Sequence, residues 1–376
     1  MRTPLAVLNL LHEKGRTLTA VAGTSFAVIL VLMQLGFFTS VLKTARIVYD
    51  GLDFDVVLTS IKYRQMLKTG FFDRRRLVEA RRLPEVADVV PASLALQLYR
   101  NPETGIKRSI LVLGVDPRRS YVNVVRPEQL RDVMQTDRVL MDVLSRPEYG
   151  PRYPGLKSQI GDNTVEIVGL FELGCGFGAD GTVVTSETNF TRYFPQRTPE
   201  QISLGLVHLR EGADREAAAA RLREIMPPDI VVKTREQFIL DEEYYWVVKT
   251  SVGVIFGLGV AVAVLVGIAI VYQVLSADIA KRMSEYATLK AMGYAPSYLT
   301  NVILTQSAII GVVGFIPGWL ISWILYRVTQ AQAHIPMNMG LLMPTAVFIT
   351  SVSMCCAAGL ASLRKVHTAA PADLFA

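Results

Sequence analysis

Residues 250–277, TSVGVIFGLGVAVAVLVGIAIVYQVLSA, contain no Asp, Glu, Lys or Arg. A bilayer-spanning helix needs about 20 consecutive apolar residues, and soluble helices rarely stay uncharged for so long. Residues 17–42, 298–326 and 341–363 share the property. In hydrocarbon, a helix is the structure that satisfies its backbone groups within one segment. The sequence therefore predicts an integral membrane α-helical protein with four transmembrane helices. Composition agrees: 19% of residues are charged and mean hydropathy is +0.33, against about 25% charged in soluble domains. The first run follows basic residues, as a secretion signal would, but it is long enough to span and no small-residue cleavage site follows it.

Orientation follows from the basic residues. Arg2, Lys14 and Arg16 precede the first run, Lys281, Arg282 and Lys290 lie between the second and third, and Arg364, Lys365 and His367 follow the fourth. Lys and Arg collect on cytoplasmic flanks. The predicted layout is a cytoplasmic segment 1–16, span 17–42, an extracytoplasmic domain 43–247, span 248–277, a cytoplasmic connection 278–297, span 298–326, an outer loop 327–340, span 341–363 and a cytoplasmic tail 364–376. The net charge of +6 is thus a matter of topology, and no nucleic-acid partner is expected. Asp241-Glu242-Glu243 and Tyr244-Tyr245-Trp246 fit an outer-interface belt. Gly253, Gly257 and Ala261 form a small-xxx-small stripe suited to helix packing. Pro317, beside Gly318, is expected to kink the third span.

The extracytoplasmic stretch reads as a large α+β domain. Val86–Tyr99, Ser109–Val115, Thr164–Phe171, Thr182–Thr185 and Leu204–Leu209 have strand character. Arg74–Leu83 is a helix candidate; Arg215–Ile225 is another, opened by Asp214 and stopped by Pro227-Pro228. With strands Leu204–Leu209 and Ile230–Lys233 it suggests a βαβ unit. Arg74-Arg75-Arg76 and Arg81-Arg82 read as a solvated face, with an adaptor or lipid-headgroup contact as the other possibility.

Few enzyme classes survive inspection. There is no GxxxxGK[ST] phosphate loop and no GxSxG elbow. His12, His208, His334 and His367 have no metal-ligand spacing, and Cys175 stands apart from Cys355 and Cys356. No catalytic residue, metal or cofactor is predicted. The glycine-rich stretch Gly174–Gly181 reads as a loop or bulge. Gln34, Gln273, Asn301 and Gln306 lie in the apolar runs, and interhelical hydrogen bonding is their expected role. The spans lack the central ionisable groups of coupled pumps.

The connection SADIAKRMSEYATLKAMGYAPSYL carries Ile279, Met283, Tyr286 and Leu289 at helical spacing among charged residues. It reads as an amphipathic helix along the membrane, closed by Gly293 and followed by Pro296. Anchoring to headgroups and docking a cytoplasmic partner both fit this pattern.

Arg282-x-x-Glu285-x-x-x-Leu289-Lys290-Ala291-Met292-Gly293 resembles the signature of FtsX/MacB-type permeases, the membrane subunits of force-transmitting ABC systems. Thr3–Ala6, Met33–Phe37, Ile110–Pro117, Gly174–Gly181 and Pro371–Phe375 resemble its DevC branch. The resemblance implies a coupling helix docked on a separate ABC ATPase subunit, with ATPase-coupling roles for Arg282, Glu285, Leu289, Lys290 and Gly293. It further implies a homodimer in the cell inner (plasma) membrane, a MacB-like periplasmic domain, an HlyD-like periplasmic adaptor and an outer-membrane duct protein. The implied function is export by mechanotransmission, without enzymatic activity in this chain. An FtsX-like permease controlling a cell-wall hydrolase and a lipoprotein-extracting permease are the alternatives.

Overall fold

A computed structural model describes residues 5–12, 14–119, 121–176, 178–281, 288, 292 and 294–368. The chain divides into two units. A helical unit takes Met1–Thr39, Val254–Gln332 and Met337–Ala376; a sheet unit takes Ser40–Gly253 and Ala333–Pro336.

Four helices reach membrane length by size and composition, with candidate spans Lys14–Asp50, Ser251–Val274, Thr300–Ala333 and Leu342–Ser362. A shorter helix, Leu5–His12, precedes the first, and Leu10 packs with Ala20, Val271, Ile310, Cys355 and Ala358. The third long helix starts on Pro296, where a missing N–H costs nothing, and continues through Pro317 to Ala333. Pro317 lies inside one unbroken helical segment.

In the sheet unit, eleven strands run β1 Val56–Ser60, β2 Phe72–Asp73, β3 Val86–Arg100, β4 Lys107–Val115, β5 Arg138–Asp142, β6 Lys157–Ile160, β7 Asn163–Phe171, β8 Thr182–Ser186, β9 Gln201–Ile202, β10 Leu204–Leu209 and β11 Ile230–Thr234. Nine of them pair in the order β11-β1-β10-β3-β4-β8-β5-β7-β6, and β6 also pairs back onto β3 through Tyr99↔Ile160. The long strand β3 therefore belongs to two substructures. Its first half pairs with β10, and its second half with β4 and β6, closing six strands into a barrel-like ring.

The predicted βαβ unit is present with a correction. Helix Arg215–Ile225 connects β10 to β11, but β1 lies between them, antiparallel to both. The unit is a split βαβ, because a nonlocal strand fills the gap that sequence proximity alone would close. Asp214 caps the helix as expected, its carboxylate accepting from the amides of Glu216 and Ala217. The candidate helix Arg74–Leu83 shrinks to Arg76–Ala80. Leu77 and Ala80 from it, with Ala219 and Leu222 from the longer helix, cover Val56, Leu58, Val89, Val207 and Val232 on one sheet face. The ring has its own core, built on Tyr99, Val112, Met141, Tyr149, Ile167 and Phe190.

The belt reading of residues 241–246 needs correcting too. Helix Arg235–Tyr244 carries Asp241, Glu242 and Glu243, and one π-helical turn, Tyr245–Lys249, carries Trp246. Glu242 and Trp246 are buried in the sheet unit, while Tyr244 is exposed. The run Arg74–Arg82 is likewise tied down in part. Arg74 pairs with Glu187, Arg76 with Glu79 and Asp229, and Arg81 with Asp88.

Candidate functional site

Arg282, Glu285, Leu289, Lys290 and Gly293, the residues of the coupling segment, lie outside the described residues. Two other groups of contacts stand out among the described residues: the seam between membrane-length helices, and a clasp within the sheet unit.

In the seam, helices approach through glycines and bind through hydroxyls. A Cβ on Gly314 would stand 2.7 Å from Thr24 Cβ, and one on Gly318 would stand 2.8 Å from the Ser25 carbonyl oxygen. Ser25 Oγ donates to the Gly314 carbonyl at 2.8 Å, and Tyr326 OH donates to the Leu32 carbonyl at 2.6 Å. First and third helices thus meet backbone to backbone, as small residues permit in membranes. Between the first and second helices, a Cβ on Gly259 would meet Gln34, and one on Gly267 would meet Ala27. Ala263 between them is buried.

Within the chain, the small residues at this contact are Gly259, Ala263 and Gly267, while the predicted Gly253, Gly257 and Ala261 lie off it. Ala261 is exposed, and Gly257 has only Phe38 within 4 Å of a would-be Cβ. Gly253 serves another purpose. Thr250 is extended and interrupts the helix after the π-turn, and a Cβ on Gly253 would lie 2.4 Å from the Trp246 carbonyl. The two stripes differ by a two-residue register, which on a helix turns the packed face by about 200°. Sequence spacing alone leaves that choice open, since both read small-xxx-small. Among the predicted amides, Gln34 turns its Oε1 inward with no hydrogen-bond partner, and Gln306 is buried.

At the clasp, the end of helix Lys14–Asp50 meets helix Arg235–Tyr244. Arg235 donates to the carbonyls of Leu52 at 2.7 Å and Tyr49 at 3.2 Å and lies over the Phe54 ring at 4.9 Å. A guanidinium here satisfies carbonyls that a helix C-terminus leaves open and complements its dipole. Behind it, Phe238 packs edge-on to Tyr49 at 4.8 Å and beside Tyr63 at 5.3 Å. Tyr49 OH and Tyr63 OH are 2.6 Å apart, Tyr63 OH donates to the Glu242 carboxylate, and the Met66 amide reaches its other oxygen at 3.4 Å.

Glu242 is 1% exposed. Burial pushes its carboxyl up to about 7, against the lowering effect of Tyr63, the Met66 amide and Lys233. The Tyr63 phenol is held well above its usual range, burial first and the neighbouring carboxylate adding to it. A surface shell of Arg46–Asp50, Arg46–Glu243 and Lys233–Asp241 pairs surrounds the clasp. This network was missed in the sequence because its members are 14 and 179 residues apart.

The glycine-rich stretch 174–181 is a loop where described. Gly174 takes φ +105, and its amide, with those of Leu144 and Leu173, donates to the buried Asp142 carboxylate at 2.9–3.0 Å. Cys175 is buried, its thiol donates to the His334 carbonyl at 3.1 Å, and burial pushes its pKa up, away from thiolate chemistry. Among the described residues, no three His, Cys, Asp or Glu gather as metal ligands.

Residues 257–371 match the FtsX-like permease C-terminal family. No curated protein sequence matches the chain. Among solved structures, the periplasmic region of MacB from Actinobacillus actinomycetemcomitans aligns at 8% identity and a TM-score of 0.37, over 50% of this chain and 92% of that one. The extracellular domain of the noncanonic ABC-type transporter YknZ from Gram-positive bacteria aligns at 16% identity and a TM-score of 0.35, over 47% and 98%. The family match and the four membrane-length helices together support a membrane protein similar to the FtsX-like ABC permeases.

Proposed function

We propose that this chain is the permease subunit of an ABC exporter of the DevC type, set in the inner membrane with both termini in the cytoplasm. The observation that carries the reading is the FtsX-like match over residues 257–371 in a chain with four membrane-length helices. A separate ABC ATPase supplies hydrolysis, docking on Arg282, Glu285, Leu289, Lys290 and Gly293. Two copies of the chain pair, and closure of the ATPase moves their helices. Glycine-lined seams suit such motion, because backbones in close contact can slide without repacking long side chains. Helix Lys14–Asp50 and the segment 235–251 carry the motion along the chain to the sheet unit, where the Arg235 and Glu242 clasp ties their ends together. The sheet unit then acts on cargo through an HlyD-like adaptor and an outer-membrane duct.

The test is a gentle-detergent pull-down of the tagged chain from native membranes, read by mass spectrometry. An ABC ATPase and an HlyD-like adaptor are expected. Glu285→Lys should lose the ATPase while inserting normally, because it reverses charge on the docking helix. A cell-wall hydrolase or lipid carrier in place of the adaptor would replace the export reading, and ATPase retained by Glu285→Lys would remove the docking assignment.

A further inference from the structure

The third long helix runs past the boundary that its sequence suggests. Hydropathy places Arg327 at the start of an outer loop, but the helix continues to Ala333 and carries Arg327 more than a turn before its last residue. Residues 307–326, immediately before it, contain no Asp, Glu, Lys or Arg. They supply the run of about 20 residues that crosses a hydrocarbon core. Arg327 is therefore set at the level where that core meets the headgroups.

Trp319, Trp323 and Arg327 follow one another at four-residue spacing, on one face of the helix. All three are exposed, Trp323 at 47%, and so are Ile316, Leu320 and Ile324 beside them. The Arg327 guanidinium lies 5.4 Å from the centre of the Trp323 ring. It is turned back along the helix toward the apolar run, where a snorkelling side chain would reach out to water.

This charge lacks a counterion in the chain. Arg327 makes no ion pair among the described residues. The sequence has no Asp or Glu between Glu285 and Asp373. This helix and the next therefore bring no carboxylate to it, and the same helices of a second copy bring none either. Away from bulk water a cation is costly to leave unpaired, and at that level of a bilayer the abundant anion is a lipid phosphate. Arg suits phosphate, since its planar fork offers parallel N–H donors and contact with an indole orients it beforehand. Indoles settle at the same level, among headgroups and upper acyl chains.

We propose that Trp319, Trp323 and Arg327 form a binding site for an anionic phospholipid, its phosphate on the Arg327 guanidinium and its acyl chain along Trp323 and Trp319. An anionic headgroup leaves net charge for Arg327, whereas a zwitterionic one carries its own cation. The assignment rests on the membrane spans and stands whether or not the chain serves export.

The test uses the full chain in phosphatidylcholine bilayers. A minor share of the lipid carries brominated acyl chains, which quench indole fluorescence on contact, and is either phosphatidylglycerol or phosphatidylcholine. Of the three tryptophans, Trp319 and Trp323 lie on the proposed site and Trp246 is buried in the sheet unit, so quenching reads the site without further substitution. Brominated phosphatidylglycerol should quench with roughly fivefold higher apparent affinity than brominated phosphatidylcholine. Arg327→Gln, at an exposed position, should remove that preference and leave quenching by brominated phosphatidylcholine as it was. Soluble glycerol phosphate should not relieve the quenching. Equal quenching by the two lipids, no quenching by either, a preference that survives Arg327→Gln, or relief by glycerol phosphate would each overturn the proposal.

Discussion

In the helical unit, the buried serines Ser307, Ser322 and Ser362 turn back on their own helices, donating to the carbonyls of Ile303, Gly318 and Ala358 at 2.8–2.9 Å, while Ser25 and Tyr326 bond carbonyls of a neighbouring helix. In the sheet unit, buried polar groups reach far along the chain. Glu242 is satisfied by Tyr63 and Met66, one oxygen of Glu187 accepts from Arg74 and Ser93, and Asn189 donates to carbonyls of Val133 and Gln135. The difference follows from the solvent each sequence is written for. Hydrocarbon offers no partner to a polar group that loses its own, so local pairing within a helix is the safe arrangement. A water-facing domain can bury ionisable groups, whose partners come together only on folding, and those partners then hold distant segments in place.

Three experiments test that contrast. The largest effect is expected from Phe238→Ala, which empties the space between Tyr49, Tyr63 and Phe54 and should cost about 3–5 kcal/mol. Hydrogen exchange in nanodiscs should rise in residues 46–66 and 235–246 and stay unchanged in residues 17–42 and in the other three long helices. Exchange rising equally in both units would show that they do not differ in this way.

Next comes pH. Glu242 goes from a reference of 4.5 to about 7 on folding, so folding favours its neutral form. The stabilisation is fully present below pH 4.5 and is lost as pH rises through 7, in total roughly 3 kcal/mol. Glu187, also raised to about 7, acts in the same direction. Denaturant unfolding of the sheet unit should therefore become easier from pH 5 to pH 8, and Glu242→Gln should about halve that slope. A slope unchanged by the substitution would mean Glu242 is not the buried acid described.

The smallest effect separates the two small-residue stripes. Gly267→Leu should destabilise the helical unit by about 1–3 kcal/mol, because its side chain collides with Ala27 and Met354. Ala261→Leu, on an exposed position, should stay within about 0.5 kcal/mol. Thermal aggregation in detergent would rank them, and the reverse order would restore Gly253, Gly257 and Ala261 as the packed face.

Much of the architecture was legible wherever its cause is local. Uncharged runs announce the four long helices because a span is a property of one contiguous segment. Helix Arg215–Ile225 was legible to the residue because Asp214 caps it and Pro227-Pro228 follow it. Strands β1 and β5 were not read: they are short and nearly continuously buried, so they lack the polar alternation that marks a half-exposed strand. Glu242 was misread because, in sequence, an acid next to aromatics before a span looks like a membrane-surface motif.

The sequence by itself determined that the chain carries four membrane-length apolar helices and a large α+β segment between the first two, since hydropathy and period are read along one dimension. Only the tertiary structure decided that β1 enters the βαβ unit, that β3 serves both sheet and ring, and that Gly259, Ala263 and Gly267 form the packed face. It also brought Glu242 to Tyr63 and Glu187 to Arg74. Each of these depends on which distant segments meet, and that is set by the summed packing of the whole chain.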